Sequence, residues 1–478
     1  MQNTADIVKE YLTAHKREMI EDMKYIVSFP SVKTSPEPDA PFGRNCADCL
    51  AAAASLYTRD GFETEIYAAS GYALSYYPHK PAAGEGYTGI FSHSDVVPVI
   101  DSDWTLTEPF KAVYLEENDM IVGRGCDDNK SAVIGGLYIF RALRENGITP
   151  DHPLCMFVGS NEESGMVDLK NFVKEQPAPA VCIVPDGGFP VSFGERAGTK
   201  YDVTSRAKLS DVADINGGNA YNTVMGTVVC DLKYNDRLAA CLTGCNDENL
   251  TVSVDNGIIH ATVQGISAHA GRPYKGDSAL RRLSVILASA DGLCDGDREI
   301  FAEISRILGD PYGEYMGIAA EDPDMGRLGV ANGKTYMDDG HIVFTFDIRF
   351  GPVYGKEELK SMVKSFLESK GFDVKCYIGT EAFKIDPENP YAITFLESYR
   401  RLTGHPDAKA FYMAGGTYSR HLENSFSTGA TYGKFRARFP LPAGHGSAHE
   451  SDEILGVSEW IEGMRIIGGI LMDMDKAY

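Results

Sequence analysis

No apolar run in this sequence approaches the roughly 18 residues needed to span a bilayer. The N-terminal stretch MQNTADIVKEYLTAHKREMI has no basic segment followed by an apolar one, so it does not read as a secretory signal. Ile7, Val8, Tyr11 and Leu12 fall instead on one stripe of an amphipathic helix. A cytoplasmic protein is expected. Cysteine is sparse: ten in 478 residues cannot build a disulfide framework. Cys155, Cys182 and Cys230 lie in apolar runs and read as buried reduced thiols. Cys46 and Cys49 match C-x-x-C, but no second pair stands at zinc-site spacing, and the motif runs into the helical LAAAASLY. Basic residues are outnumbered, 45 Lys and Arg against 68 Asp and Glu. The resulting net charge of −23 repels nucleic acid and anionic membranes. Internal repeats and low-complexity segments are absent as well.

What is present is enough chain for two or three domains, 43% of it hydrophobic. Up to about residue 190, short apolar runs alternate with helical patterns. GYTGIFSH, LCMFVGS and AVCIVPD read as strands, and NKSAVIGGLYIFRALRENG as a helix on Val133, Leu137, Phe140 and Leu143. Such alternation predicts an α/β domain with a mostly parallel sheet. Between about 191 and 380 the texture becomes α+β, and from about 381 the α/β character returns. The expected organisation is therefore a catalytic α/β domain, 1–190 and 381–478, interrupted by an inserted α+β domain, 191–380.

The ionisable residues of the first domain follow its strands. His93 and Asp95 come after GYTGIFS, Asp128 after the glycine-rich VGRG, Glu162 and Glu163 after LCMFVGS, and Asp186 after AVCIVP. Ligands of open α/β sheets bind beyond the carboxyl ends of the strands, so these side chains converge if the strands share one sheet. Each has a plain alternative: Asp128 could cap a helix, Asp186 could serve a turn, and paired glutamates usually belong to a solvated loop. Taken together they call for a cation. One imidazole with several carboxylates suits Zn, Mn or Co, and three or more carboxylates suit two ions that share a bridging ligand. One glutamate can then bind metal while its neighbour faces the attacking water as general base. On an extended chain His93 and Asp95 point the same way, so Asp95 can hydrogen-bond the far nitrogen of His93.

HSDVVP, GRGCDDNKSA, NEESG, PDGGFP and GHGSAHESDE together resemble the M20 metallopeptidases, most closely the bacterial PepV-like dipeptidases, along nearly the whole chain. The resemblance implies a two-zinc catalytic domain with an inserted lid. His93 and Asp186 would hold one metal, Asp128 would bridge, and Glu163 and His449 would hold the second. Glu162 would be the general base, and Asp95 would orient His93. In the lid, His269 would polarise the scissile carbonyl, Arg349 would take the substrate carboxylate, and Asn222 would contact substrate. Gly415, Gly416 and Thr417 resemble a loop that touches the substrate backbone. The spelling GRGCDDNK departs from the common pattern and leaves Asp127 as a rival to Asp128. His445 competes with His449, although the H-x-x-x-E spacing to Glu453 favours His449. The implied activity is hydrolysis of dipeptides or short peptides, with deacylation of N-acyl amino acids as the alternative. The implied cofactors are two divalent ions, zinc first and manganese or cobalt as alternatives. The expected partner is a small peptide; no nucleic acid or membrane partner is expected, and a monomer is favoured over a dimer.

Overall fold

The computed structural model describes residues 3–439, 441, 442 and 444–477. The chain divides into two compact units: Met1–Gly194 with Lys384–Tyr478, and Glu195–Phe383.

The discontinuous unit is built on a mixed sheet. Its heart is parallel, in the order Leu154–Gly159, Thr88–His93, Val181–Val184 and Ser425–Ser427. Leu154–Gly159 (LCMFVG) and Val181–Val184 (VCIV) are buried at every position. That is what an unbroken apolar strand requires when both sheet faces are covered. The mostly parallel sheet expected from the alternating pattern holds only for this heart. Tyr72–Tyr77 joins Leu154–Gly159 antiparallel, and Glu63–Tyr67 joins Tyr72–Tyr77 antiparallel. Only four residues separate those two outer strands, too few for a crossover helix, so they return as a hairpin.

One sheet face is covered by a helical layer. Lys130–Glu145 is buried along almost its whole length, and Val457–Asp475 packs on it through Trp460 and Met464. Thr4–Ala14 lies on Val457–Asp475 and buries Val8, Tyr11 and Leu12. The opposite face carries a smaller cluster, with Phe91, Phe157, Phe172 and Tyr418 at its centre. Cys46 and Cys49 are buried in helix Arg44–Arg59. The Cys46 thiol donates to the Ser31 carbonyl at 3.3 Å, and burial pushes it up to about 12. All ten cysteines are free thiols.

The continuous unit is an antiparallel sheet backed by helices. Its strands run Leu250–Asp255, Ile258–Gln264, Thr227–Lys233, Val212–Gly217, Thr335–Asp338, His341–Phe350, Ala197–Ser205 and Phe372–Thr380. Ala197–Ser205 alternates buried and half-buried side chains, the signature of a strand with one face on a core. Helices Ala279–Ala288, Asp295–Ile307 and Lys356–Ser369 supply that core with Leu283, Phe301 and Val363. Among the described residues, no helix is long and apolar enough to cross a membrane.

Candidate metal centre

The register of the parallel ladder pairs His93 with Gly159, so two strands end side by side. The chain leaving one delivers His93, and the chain leaving the other delivers Glu162 and Glu163. Asp186 follows Val181–Val184 by two residues, and Asp128 sits in the turn before helix Lys130–Glu145. His449 comes from a C-terminal loop and holds φ at 66°, a left-handed conformation that is uncommon outside glycine.

Two groups of ligating atoms result, and they share Asp128. His93, Asp128 and Asp186 bring such atoms within 4.8 Å of one another, and so do Asp128, Glu163 and His449. His93 Nε2 lies 3.2 Å from Asp128 Oδ1 and 3.7 Å from Asp186 Oδ2. His449 Nε2 lies 3.1 Å from both Asp128 Oδ2 and Glu163 Oε1. Each oxygen of Asp128 therefore faces a different imidazole. The rival residues lie elsewhere in the network. Asp127 is paired with Arg436, Oδ2 to Nη2 at 2.6 Å, and His445 Nδ1 is 2.8 Å from Asp452 Oδ2. Asn129, not Asp128, occupies the cap position of the helix.

Asp95 contacts His93 through an atom other than the expected one. His93 Nδ1 is 3.0 Å from the Asp95 backbone carbonyl and 3.5 Å from its carboxylate. A carbonyl can only accept, so Nδ1 carries the proton and Nε2 is left to face the carboxylates. The Asp95 carboxylate instead accepts the backbone N–H of Glu162 at 3.0 Å and of Glu163 at 3.2 Å. The strand ends at His93, so the two-residue alternation no longer directs the Asp95 side chain.

The charges at this centre are unbalanced. Burial opposes ionisation of Asp128, yet the hydrogen bond from His449 and the close approach of the His93 imidazole at 3.2 Å outweigh it and hold this carboxyl well below the usual range. Burial and the nearby Asp186 push Glu162 well above it, against the pull of His93. Burial and Asp128 likewise raise Glu163. Both histidines rise despite desolvation: His93 through Asp128, Asp186 and Asp95, and His449 to about 11 through Asp128 and Glu163. His93 Nε2 and Glu162 Oε1 are buried with no hydrogen-bond partner of acceptable geometry among the described residues. Unsatisfied buried polar atoms are costly, and this donor set of nitrogens and carboxylate oxygens fits divalent cations.

The other residues that the motifs nominate lie apart from this cluster in the chain. Thr417 caps the short turn Tyr418–His421, with Gly415 and Gly416 just before it. The Tyr418 ring meets His93 edge-on at 6.3 Å. In the continuous unit, Asn222 directly precedes Thr223, which pairs with His269 across a two-stranded ladder. His269 Nδ1 accepts the Gly271 N–H at 3.0 Å. Arg349 is bidentate on Asp347, at 2.6 and 2.9 Å.

Several supporting side chains carried little or no signal in the sequence. Asp168, fully buried, accepts the N–H groups of Ser160 and Asn161 at 2.7 and 2.8 Å and the Tyr418 hydroxyl at 2.6 Å. It thereby anchors the loop that carries both glutamates. Asn129 Nδ2 donates to the Pro185 carbonyl at 2.6 Å, next to Asp186. Glu453, also fully buried, receives four N–H donors from the segment around Asp128. H-x-x-x-E spacing is the one local hint of Glu453, and Asp168 had none.

An α/β unit whose strand-end and loop residues form two imidazole–carboxylate groups sharing Asp128 has a donor set of the kind that metal-dependent hydrolases use. The chain belongs to peptidase family M20/M25/M40, whose model matches residues 89–473. Among curated proteins it is 25% identical over 446 residues to a Staphylococcus epidermidis protein named "Putative dipeptidase", covering 89% of this chain and 92% of the relative. A similarly named Staphylococcus aureus protein is 26% identical over 452 residues, with the same coverage. Among solved structures, the dipeptidase Dug1p of Saccharomyces cerevisiae matches with TM-score 0.61 at 14% identity, over 100% of this chain and 99% of that one. Human carnosine dipeptidase 1 matches with TM-score 0.60 at 14% identity, over 99% of both chains. These two share the fold.

Proposed function

We propose that the protein hydrolyses the amide bond of dipeptides or short peptides at a centre of two divalent ions, zinc first among them. The observation that carries this reading is the pair of ligand groups joined at Asp128. His93 and Asp186 would hold one ion, Glu163 and His449 the other, and Asp128 both. Divalent ions held there would polarise the scissile carbonyl and acidify water.

The chain's own residues account for the rest. Glu162 is buried beside the ligands with one carboxylate oxygen unengaged by hydrogen bonds among the described residues. Its raised proton affinity, caused first by burial and then by Asp186, suits a general base. It takes a proton from the attacking water and returns it to the leaving amine. Asp95 holds the backbone of both glutamates and so fixes the direction of the base. In the discontinuous unit Gly415, Gly416 and Thr417 would contact the substrate; His269, Asn222 and Arg349 are the residues of the inserted unit that the motifs nominate for substrate. For Arg349, Asp347 presets the guanidinium fork, a geometry matched to a carboxylate. The relatives' names support a dipeptide substrate.

The test is metal content together with turnover of a dipeptide panel, before and after chelation. About two equivalents of metal are expected, with activity lost to the chelator and restored by Zn, Mn or Co. N-acetylation of a good dipeptide should abolish its turnover. Faster cleavage of the acetylated form would replace this reading with an N-acyl amino acid deacylase.

A further inference from the structure

We infer that Glu453 is a positioning residue that presets the bridging carboxylate and ties it to the segment carrying His449. The inference rests on the dinuclear reading above. Glu453 lies four residues after His449 and has no solvent exposure. Its Oε1 accepts the backbone N–H of Asp127 at 2.8 Å and of Asp128 at 3.0 Å. Its Oε2 accepts the N–H of Gly125 and a guanidinium N–H of Arg124, both at 2.8 Å. Arg124 also donates to the Glu450 carbonyl at 3.0 Å, one residue beyond His449. Gly123 N–H donates to the Glu453 carbonyl at 3.0 Å.

Every one of these bonds joins the turn 123–128 to the segment 450–453. One side chain therefore fixes both segments that meet at the second group of ligating atoms, where Asp128 and His449 stand 3.1 Å apart. The turn has few alternatives. Gly125 holds φ at 83°, and a Cβ there would lie 2.6 Å from Val96. A carboxylate with four N–H donors is satisfied on both oxygens and has no capacity left to bind an ion itself. Glu453 thus acts through Asp128 and His449 and not as a ligand. Partners one step removed from a metal typically change its affinity 10–100-fold when lost.

Glu453→Gln keeps the size but turns an amide N–H₂ toward two of the four donors, whereas Glu453→Asp keeps the charge and withdraws it. Manganese(II) binding is titrated on the full chain for the wild type and both variants, each first shown to be folded by near-UV circular dichroism. The expected result is binding about 10–100-fold weaker in Glu453→Gln and partial recovery in Glu453→Asp. The expected loss in turnover is in kcat, with KM little changed. A folded Glu453→Gln that binds manganese as tightly as the wild type overturns the inference, even if its melting temperature falls. A second measurement needs no variant: hydrogen exchange of the wild type in chelator. The peptide 124–131 should stay protected there, because Glu453 and not an ion holds its amides; free exchange overturns the inference. Wild type that binds no manganese overturns the dinuclear reading instead, and the exchange experiment tells the two failures apart because it requires no ion.

Discussion

Burial strips a carboxylate of its hydration, and at Glu162 Oε1 no hydrogen bond from the described residues replaces it. The group is left with an elevated proton affinity, set first by desolvation and then by Asp186. Two neighbouring glutamates are therefore inequivalent. Glu163 points an oxygen at His449, 3.1 Å away, and Glu162 does not. Glu162→Gln should accordingly bind metal like the wild type and lose about 10²–10⁴-fold in kcat, the usual range for a general base. Unchanged metal content with near wild-type kcat would remove Glu162 from that role. Residues of this kind were legible in the sequence because a strand end is a local feature: His93, Asp95, Glu162, Glu163 and Asp186 each follow an apolar run. Glu453 has its partners 325 to 329 positions away, and Asp168 meets Tyr418 across 250. No window of sequence relates such residues, and their types alone suggest surface charge.

Among the elements, the loop after Leu154–Gly159 concentrates the constraints. Gly159 admits no side chain, since a Cβ there would lie 2.0 Å from the Tyr418 hydroxyl and 2.4 Å from Asp168 Oδ2. The strand therefore ends on a glycine so that Asp168 can reach back to the amides of Ser160 and Asn161. Burial, followed by repulsion from Asp95, raises the Asp168 carboxyl to about 6. A carboxyl whose folded-state pKa is raised contributes stability that is fully present below its unfolded value near 4 and is lost as pH rises through 6. Relative to Asp168→Asn, which does not titrate, the wild type should lose stability between pH 4 and 7. The size is on the order of 3 kcal/mol, at about 1.4 kcal/mol per pH unit of displacement. Urea unfolding of both proteins at pH 4.5 and 7 reads this directly, and a pH-independent difference would mean that Asp168 titrates normally. The elements themselves were readable where periodicity was strong, as in helix Lys130–Glu145. The antiparallel flank of the sheet was not, because Tyr72–Tyr77 is as buried as the parallel strands and an apolar run carries no direction.

At the scale of the molecule, every proposed ligand lies in the discontinuous unit, from His93 to His449, and so do both tryptophans, Trp104 and Trp460. The two halves of that unit are far apart in sequence, and the ligand set is complete only when they meet. His449, with Glu453 behind it, comes from one half, and the ligands His93, Asp128, Glu163 and Asp186 from the other. Ions that bind only this assembled arrangement must stabilise it, by about 2.7 kcal/mol per site at free metal 100 times the dissociation constant. For a unit of this size each kcal/mol moves the melting midpoint by roughly 2–4 °C. Tryptophan emission reports on this unit alone, since the inserted one contains none. Chelation should therefore lower the tryptophan-detected midpoint by several degrees, and zinc or manganese should restore it in proportion to the logarithm of its free concentration. Because two histidines with raised proton affinity must lose their protons to coordinate, the restoring power of metal should weaken as pH falls. A midpoint indifferent to chelator, in protein shown to bind two ions beforehand, would place those ions somewhere other than the junction of the two halves.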